Sequence, residues 1–266
     1  MSDNSKVRQW LIIVCLSLTA IFLSIGYAIA QDDVVGMWLF DEGKGDVAKD
    51  SSDNGNDGEI VDCQWVEGKF GKALSFNGTS SYVEVPHKPS LSVSDDQISI
   101  IAWITQRIEG DEWRTIVSKG LMEGTNENWA LFTNVKSEYL CPVYSLEGGE
   151  RWWHIFVEGS LPADEEWHHV ATTYDGSSVN VYIDGKLIES VETDGNLVPN
   201  ENALIIGWRK NSVHVWNGLL DEIGVFNRAL TETEIKNIMN KGYTAFSPVE
   251  TVGKLTTIWG KLKNQR

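Results

Sequence analysis

Aromatic side chains carry the strongest chemical hint in this chain. Twelve Trp occur among its 266 residues. Sugar rings lay their C–H faces on Trp and Tyr, and the polar tips and neighbours of such rings hold the hydroxyls. Trp113, Trp129, Trp152, Trp153, Tyr139, Tyr144, Trp208 and Trp216 form the pool. Trp152 and Trp153 are adjacent, so on a strand their rings face opposite sides. One of the two is expected to point outward, with Arg151 and His154 beside it. Arg151, Trp152, Trp153, Trp129, Trp208 and Trp216 are therefore the candidate ligand-binding set. The competing reading is that any one of these rings simply packs in the core.

Acidic residues are the second hint. Asp41, Asp50, Asp53, Asn54, Asn56 and Asp57 crowd one early loop. Calcium takes six to eight hard oxygen ligands, and such a loop offers many. An EF-hand reading fails, because the twelfth position counted from Asp50 is Val61 rather than Glu. The competing reading is that these side chains cap local turns through Asx hydrogen bonds. No GxSxG, HExxH or P-loop pattern is present. Asn77-Gly78-Thr79 matches a glycosylation acceptor and equally a turn.

Residues 1–30 read as a signal peptide. Lys6 and Arg8 precede the apolar stretch Leu11–Ile25, and Ala28-Ile29-Ala30 fits the small-x-small cleavage pattern. Cleavage before Gln31 is expected. The alternative is an uncleaved anchor, since Leu11–Ala30 spans 20 residues. Either way the remainder is expected outside the cytoplasm: secreted, on the cell surface or in the periplasm. Beyond residue 30 there are 20 Lys and Arg against 37 Asp and Glu, a formal charge of −17. Such acidity argues against a nucleic-acid backbone or an anionic membrane as partner. It suits a cation, a neutral glycan or an extracellular protein. Cys15 would leave with the leader, and Cys63 with Cys141 remain as a pair that an oxidising compartment allows to bridge. Sequence alone leaves that bridge open.

These side chains need a scaffold, and its elements are visible. Trp167–Tyr174 and Ser178–Ile183 are rich in β-branched and aromatic residues, split by Asp175-Gly176 and followed by Asp184-Gly185. Asp-Gly supplies the positive φ angles of two-residue hairpin turns, which predicts a three-strand meander. Further short runs stand between Gly, Asn, Asp and Pro clusters from Val34 to Phe226, with little helical periodicity. The fold class is therefore all-β, a two-sheet antiparallel sandwich or jelly roll. Trp38, Phe40, Leu74, Phe76, Ile100, Ala102, Ile104 and Val225 are its expected inner-face residues. One helix is expected after the last strand, with Thr231 and Glu234 as a capping box and Gly242 at its end. Residues 31–245 read as one domain. Residues 246–266 read as a tail whose Gly253–Arg266 part carries three Lys and one Arg and no acid.

Four segments, in order, resemble laminin-G-like, concanavalin A-like jelly-roll domains. They are GMWLFDEGKGDVAKDSSDNGNDGEI (36–60), GKFGKALSFNGTSSYVEVP (68–86), EWHHVATTYDGSSVNVYIDGKLIES (166–190) and NGLLDEIGVFNRALTETEI (217–235). The resemblance implies a non-catalytic binding module, first for carbohydrate, alternatively for adhesion through protein contact. It also implies a structural calcium ion held by Asp41, the Asn77-Gly78 turn and Asp221. Related glycosidases carry alternating acids, ExDxxE, on one strand face. Here Glu109-Gly110-Asp111 begins that pattern, but Arg114 stands in place of the last Glu. A hydrolase is therefore the minor alternative, and fold alone does not choose among the three.

Overall fold

A computed structural model describes residues 29–93, 96–109, 113–120, 127–136, 138–147, 153–154, 161–162, 164–210 and 213–243. The leader, apart from its last two residues, and the basic tail lie outside the described residues. Gln31–Ala245 forms one compact unit. Its strands are β1 (Val34–Trp38), β2 (Val47–Ala48), β3 (Gly58–Val61), β4 (Gln64–Glu67), β5 (Lys72–Asn77), β6 (Tyr82–Val85), β7 (Ile98–Gln106) and β8 (Trp113–Gly120). They continue with β9 (Glu127–Asn134), β10 (Tyr139–Tyr144), β11 (Trp153–His154), β12 (His168–Tyr174), β13 (Ser178–Ile183), β14 (Lys186–Glu192), β15 (Leu204–Ile206) and β16 (Asn217–Phe226).

Two antiparallel sheets result. One runs β14-β13-β12-β7-β16-β5-β4, with β1 also paired to β16. The other runs β11-β10-β9-β8-β15-β6-β3-β2. Inner-face side chains alternate along β6, as a half-buried pleat requires, whereas the central β7 is buried on both faces. All eight expected inner-face residues lie in one buried cluster, together with Trp129, Tyr144, Tyr174 and Trp216. The Tyr144 hydroxyl meets Thr172 Oγ1 at 3.0 Å, a hydrogen bond joining the two sheets inside that apolar space.

The meander forms with one change. Asp184 and Gly185 both take positive φ, 50° and 71°, and close the β13–β14 hairpin with two residues. The β12–β13 connection has three residues, Asp175 to Ser177, and only Gly176 is left-handed (φ 85°). The cause is Asp175 itself, whose Oδ1 accepts from Ser177 N (2.9 Å) and Ser178 N (2.8 Å) and so holds an Asx turn. The helix, α1 (Glu232–Lys241), carries the reciprocal Thr231–Glu234 capping box and ends at Gly242 with φ 64°.

The cysteine pair is corrected: no disulfide joins Cys63 and Cys141. Cys63 packs at the edge of the main core, while Cys141 sits in a separate small cluster with Ala130, Phe132 and Val143. The Cys63 Sγ instead meets Val61 O (3.4 Å) and Tyr82 O (3.7 Å), while the Cys141 Sγ meets Pro142 O (3.9 Å).

Candidate functional site

A cleft of about 470 Å³ opens where the β5–β6 turn meets the segment after β15. Gly78, Thr79, Ser80, Tyr82, Trp208, Val213 and Val215 line it. Tyr82 opens β6, where Val83 and Val85 point inward, so the Tyr82 ring falls on the outer face. Trp208 follows β15. The two rings stand 5.1 Å apart between centroids at 42°, forming a tilted aromatic floor. Val213 is 72% exposed at the rim.

The walls are held from below by backbone. Trp216 N donates to Gly207 O (2.7 Å), and Gly78 N donates to Trp216 O (2.9 Å). One core residue thus ties the Trp208 segment to the β5–β6 turn. Gly207 has φ 81° and lies against the Phe76 ring, where a Cβ would collide. Only glycine lets the chain pass that close to the core and then present Trp208.

The turn itself is organised by Asn77. Its Oδ1 accepts from Thr79 N (2.9 Å), Thr79 Oγ1 (3.0 Å), Ser80 N (2.9 Å) and Ser81 N (3.2 Å). Its Nδ2 donates to Ser80 Oγ (3.1 Å). The Asn77-Gly78-Thr79 triplet therefore works as a turn, with both the oxygen and the nitrogen of the amide hydrogen-bonded within it. Gly78 (φ 74°) lies where a Cβ would come 2.9 Å from Asn217 Cβ.

Of the expected ligand-binding residues whose side chains are described, Trp208 lines this cleft. Two expectations are overturned: Trp129 and Trp216 are fully buried between the sheets, so neither ring can stack on a ligand. The Trp216 indole donates instead to Leu219 O at 3.3 Å. Arg151 and Trp152 lie outside the described residues. Trp153 is placed through its backbone, opposite Tyr144 at the β11 edge. Four strand positions separate β11 from β15, about 19 Å at 4.8 Å per strand, so the Trp153 backbone lies away from the cleft. Tyr82, Thr79 and Ser80 were missing from the sequence-based set. The alternation Tyr82-Val83-Glu84-Val85 was the available signal for Tyr82.

The expected calcium ligands do not assemble. Asp41 and Asp221 flank the Gly68–Lys72 turn, with Asp41 Oδ1 accepting from Lys72 N and Asp221 Oδ2 from Phe70 N, both at 3.0 Å. Asn77 sits opposite Asn217, four residues along β16 from Asp221, about 13 Å at strand rise. Asn77 and Gly78 therefore cannot share an ion with Asp221. Among the described residues no cluster of three or more His, Cys, Asp or Glu could hold a metal ion. The early acidic loop is occupied by turns. Asp50 accepts from Met37 N, Ser52 N, Ser52 Oγ and Asn56 N, and Asp57 accepts from Asp50 N and Lys49 Nζ.

Next to Asp221 lies a second buried acid, Glu222, whose Oε2 accepts from Tyr243 N at 2.8 Å. Burial pushes both carboxyls up to about 7. His169 is buried two strands away, on β12, against Trp103 of the intervening β7, and burial pushes it down to about 3. His168 is held between Asp184 (2.9 Å) and Asp164 (3.2 Å). The histidine pair is a strut between strands.

Comparison with known proteins bears on this geometry. A profile described as the concanavalin A-like lectin/glucanases superfamily matches residues 77–236, a span containing both walls of the cleft. The chain belongs to this superfamily. Among solved structures, this concanavalin A-like domain matches the binding domain of Paraclostridial Mosquitocidal Protein 1 with a TM-score of 0.65 at 20% identity. That match covers 80% of this chain and 53% of the other, so the chain spans about half of that structure. Domain 4 of the extracellular arabinanase AbnA from Geobacillus stearothermophilus, solved with arabinotriose, matches with a TM-score of 0.60 at 20% identity, covering 78% of this chain and 98% of that one. A Trypanosoma rangeli sialidase solved with sialic acid matches at 0.59 and 18% identity, over 80% and 33%. At such identities the likeness is one of fold. The comparison with curated protein sequences found no match.

Proposed function

We propose that this domain is a non-catalytic carbohydrate-binding module whose contact site is the Tyr82–Trp208 cleft. The observation that carries this reading is the tilted aromatic pair beneath a rim of exposed hydroxyls. Aromatic faces supply apolar contact to sugar C–H groups, and a few placed polar groups orient the ring. The cleft's described lining carries no carboxylate, so the two-acid chemistry of glycoside hydrolysis has no groups to run on there. The arabinotriose-bound domain of AbnA supports the reading, because it has this fold and its own ligand is a sugar. The leader-like first 30 residues support action outside the cytoplasm, where glycans and extracellular proteins are met.

A second reading, docking of a protein, draws on Val213, an exposed apolar side chain at the rim. A glycan-array screen of the purified protein and its Trp208→Ala variant separates the two. Binding that disappears in the variant supports the carbohydrate site. Absence of any glycan binding moves the function to protein contact. Repeating the screen with calcium and with chelator tests the ion: loss with chelator would make calcium part of the site.

A further inference from the structure

We infer that the cleft selects neutral sugars over acidic ones, and reads a pair of neighbouring hydroxyls through Thr79 and Ser80. This rests on the carbohydrate-binding reading and narrows its ligand class. None of the residues described as lining the cleft carries a charge. The cations that follow Trp208 are Arg209, buried with its guanidinium over the Phe132 ring, and Lys210. The Lys210 ammonium is already paired with Glu84 at 3.3 Å, and Glu84 shares the outer face of β6 with Tyr82. A sugar carboxylate or sulfate would lose hydration on entering and find no unpaired guanidinium or ammonium among these residues. Buried charge without a partner is costly. It would also approach a chain of net charge −16, whose field repels anions. A neutral ring meets neither obstacle.

The rim chemistry sets the second half of the inference. Thr79 and Ser80 are both exposed. The Thr79 hydroxyl spends its proton on Asn77 Oδ1, leaving oxygen lone pairs as acceptor. The Ser80 hydroxyl accepts from Asn77 Nδ2, leaving its proton to donate. One acceptor and one donor therefore stand side by side, fixed by a single asparagine. Two adjacent sugar hydroxyls, one donating and one accepting, match that pair. Because Asn77 orders the rim before any ligand arrives, little ordering cost falls on binding.

The test is titration of array-identified neutral oligosaccharides, and of sialylated, uronic-acid and sulfated ones, into the purified protein. Wild type, Trp208→Ala, Ser80→Ala and Thr79→Val are compared, each first checked by thermal melting. The expected result is binding of neutral ligands that changes less than about 2-fold between 50 and 500 mM salt, since few ions are released. Trp208→Ala should lower affinity by about 30-fold or more, the scale of an aromatic anchor. Ser80→Ala should lower it by about 5-fold, the scale of one hydrogen bond. Preference for acidic glycans, with Trp208 still required, overturns the inference and leaves the carbohydrate reading standing. Neutral binding unchanged in both Ser80→Ala and Thr79→Val overturns the hydroxyl-pair part. Binding to no glycan of either class sinks the carbohydrate reading itself.

Discussion

Trp208 and Trp216 stand eight residues apart and do opposite work. Trp208 offers a ring to the cleft, while Trp216 buries its ring and lends its backbone to both walls. Their alanine variants should therefore separate cleanly. Trp208→Ala should lower glycan affinity by about 30-fold or more while shifting Tm by only a few degrees. Trp216→Ala should cost about 3–5 kcal/mol of stability, as deletion of a buried aromatic does. Denaturant titration and binding on the same preparations check both, and a Trp208 variant that fails to fold would show that its ring belongs to the core. Asn77 offers a third residue-scale contrast. Asn77→Ala removes the acceptor of three backbone N–H groups at the rim, and should weaken binding although the side chain touches no ligand.

At the scale of elements, local chemistry decides where each one starts and stops. Helix α1 begins at Thr231, whose hydroxyl accepts from Glu234 N while Glu234 Oε2 accepts from Thr231 N. Glu234 also pairs with Arg228, whose guanidinium reaches Asp33 beside β1. Thr231→Ala should cost about 1 kcal/mol, the usual size of a lost N-cap. Glu234→Ala should cost more, because it also unlinks Arg228. Urea unfolding of the two variants checks the order. The edge strand β14 shows a different device. It exposes Leu187 and Ile188, yet its pairing with β13 shifts register between Val181 and Tyr182. A bulge of this kind spoils the flat edge that another chain would need for pairing.

For the whole molecule, buried titratable groups set a stability profile against pH. His169 keeps a folded value near 3 against 6.5 when free. As pH falls below 6.5 the unfolded chain takes up a proton that the folded chain refuses, so stability is lost down to about pH 3. Asp221 and Glu222 act oppositely, with folded values near 7 above their ordinary 3.8 and 4.5. The folded chain holds those protons as pH falls through 7, and stability rises until the unfolded carboxyls also protonate near pH 4. Thermal melts should therefore peak near pH 4, where two gaining carboxyls and one losing histidine balance, and fall away on both sides. His169→Gln should flatten the acid side; an unchanged profile would mean the ring is not buried neutral. Reductant should leave Tm unchanged, because Cys63 and Cys141 are unbridged and burial pushes the Cys63 thiol up to about 12.

Much of the scaffold was legible in order along the chain. Strand alternation, Asp-Gly turns and the Thr231–Glu234 box are local signals, set by neighbours within a few residues, and the sandwich, its inner-face residues and its helix follow from them. The site was legible only in part. Trp208 was in the candidate set, but Trp129 and Trp216 were indistinguishable from it by composition, since which face a ring takes depends on register against a partner strand. Tyr82 joins Trp208 from 126 positions away, because β6 and β15 pair in one sheet. The family resemblance implied one ion site for Asn77 and Asp221, yet four residues of β16 hold them apart. The sequence determined the elements, because those rest on short-range periodicity and turn chemistry, and four segments in order carried the resemblance to the family. Tertiary structure alone decided which aromatics meet, which acids are satisfied by backbone, and where the cleft lies, because those depend on contacts between residues far apart in the chain.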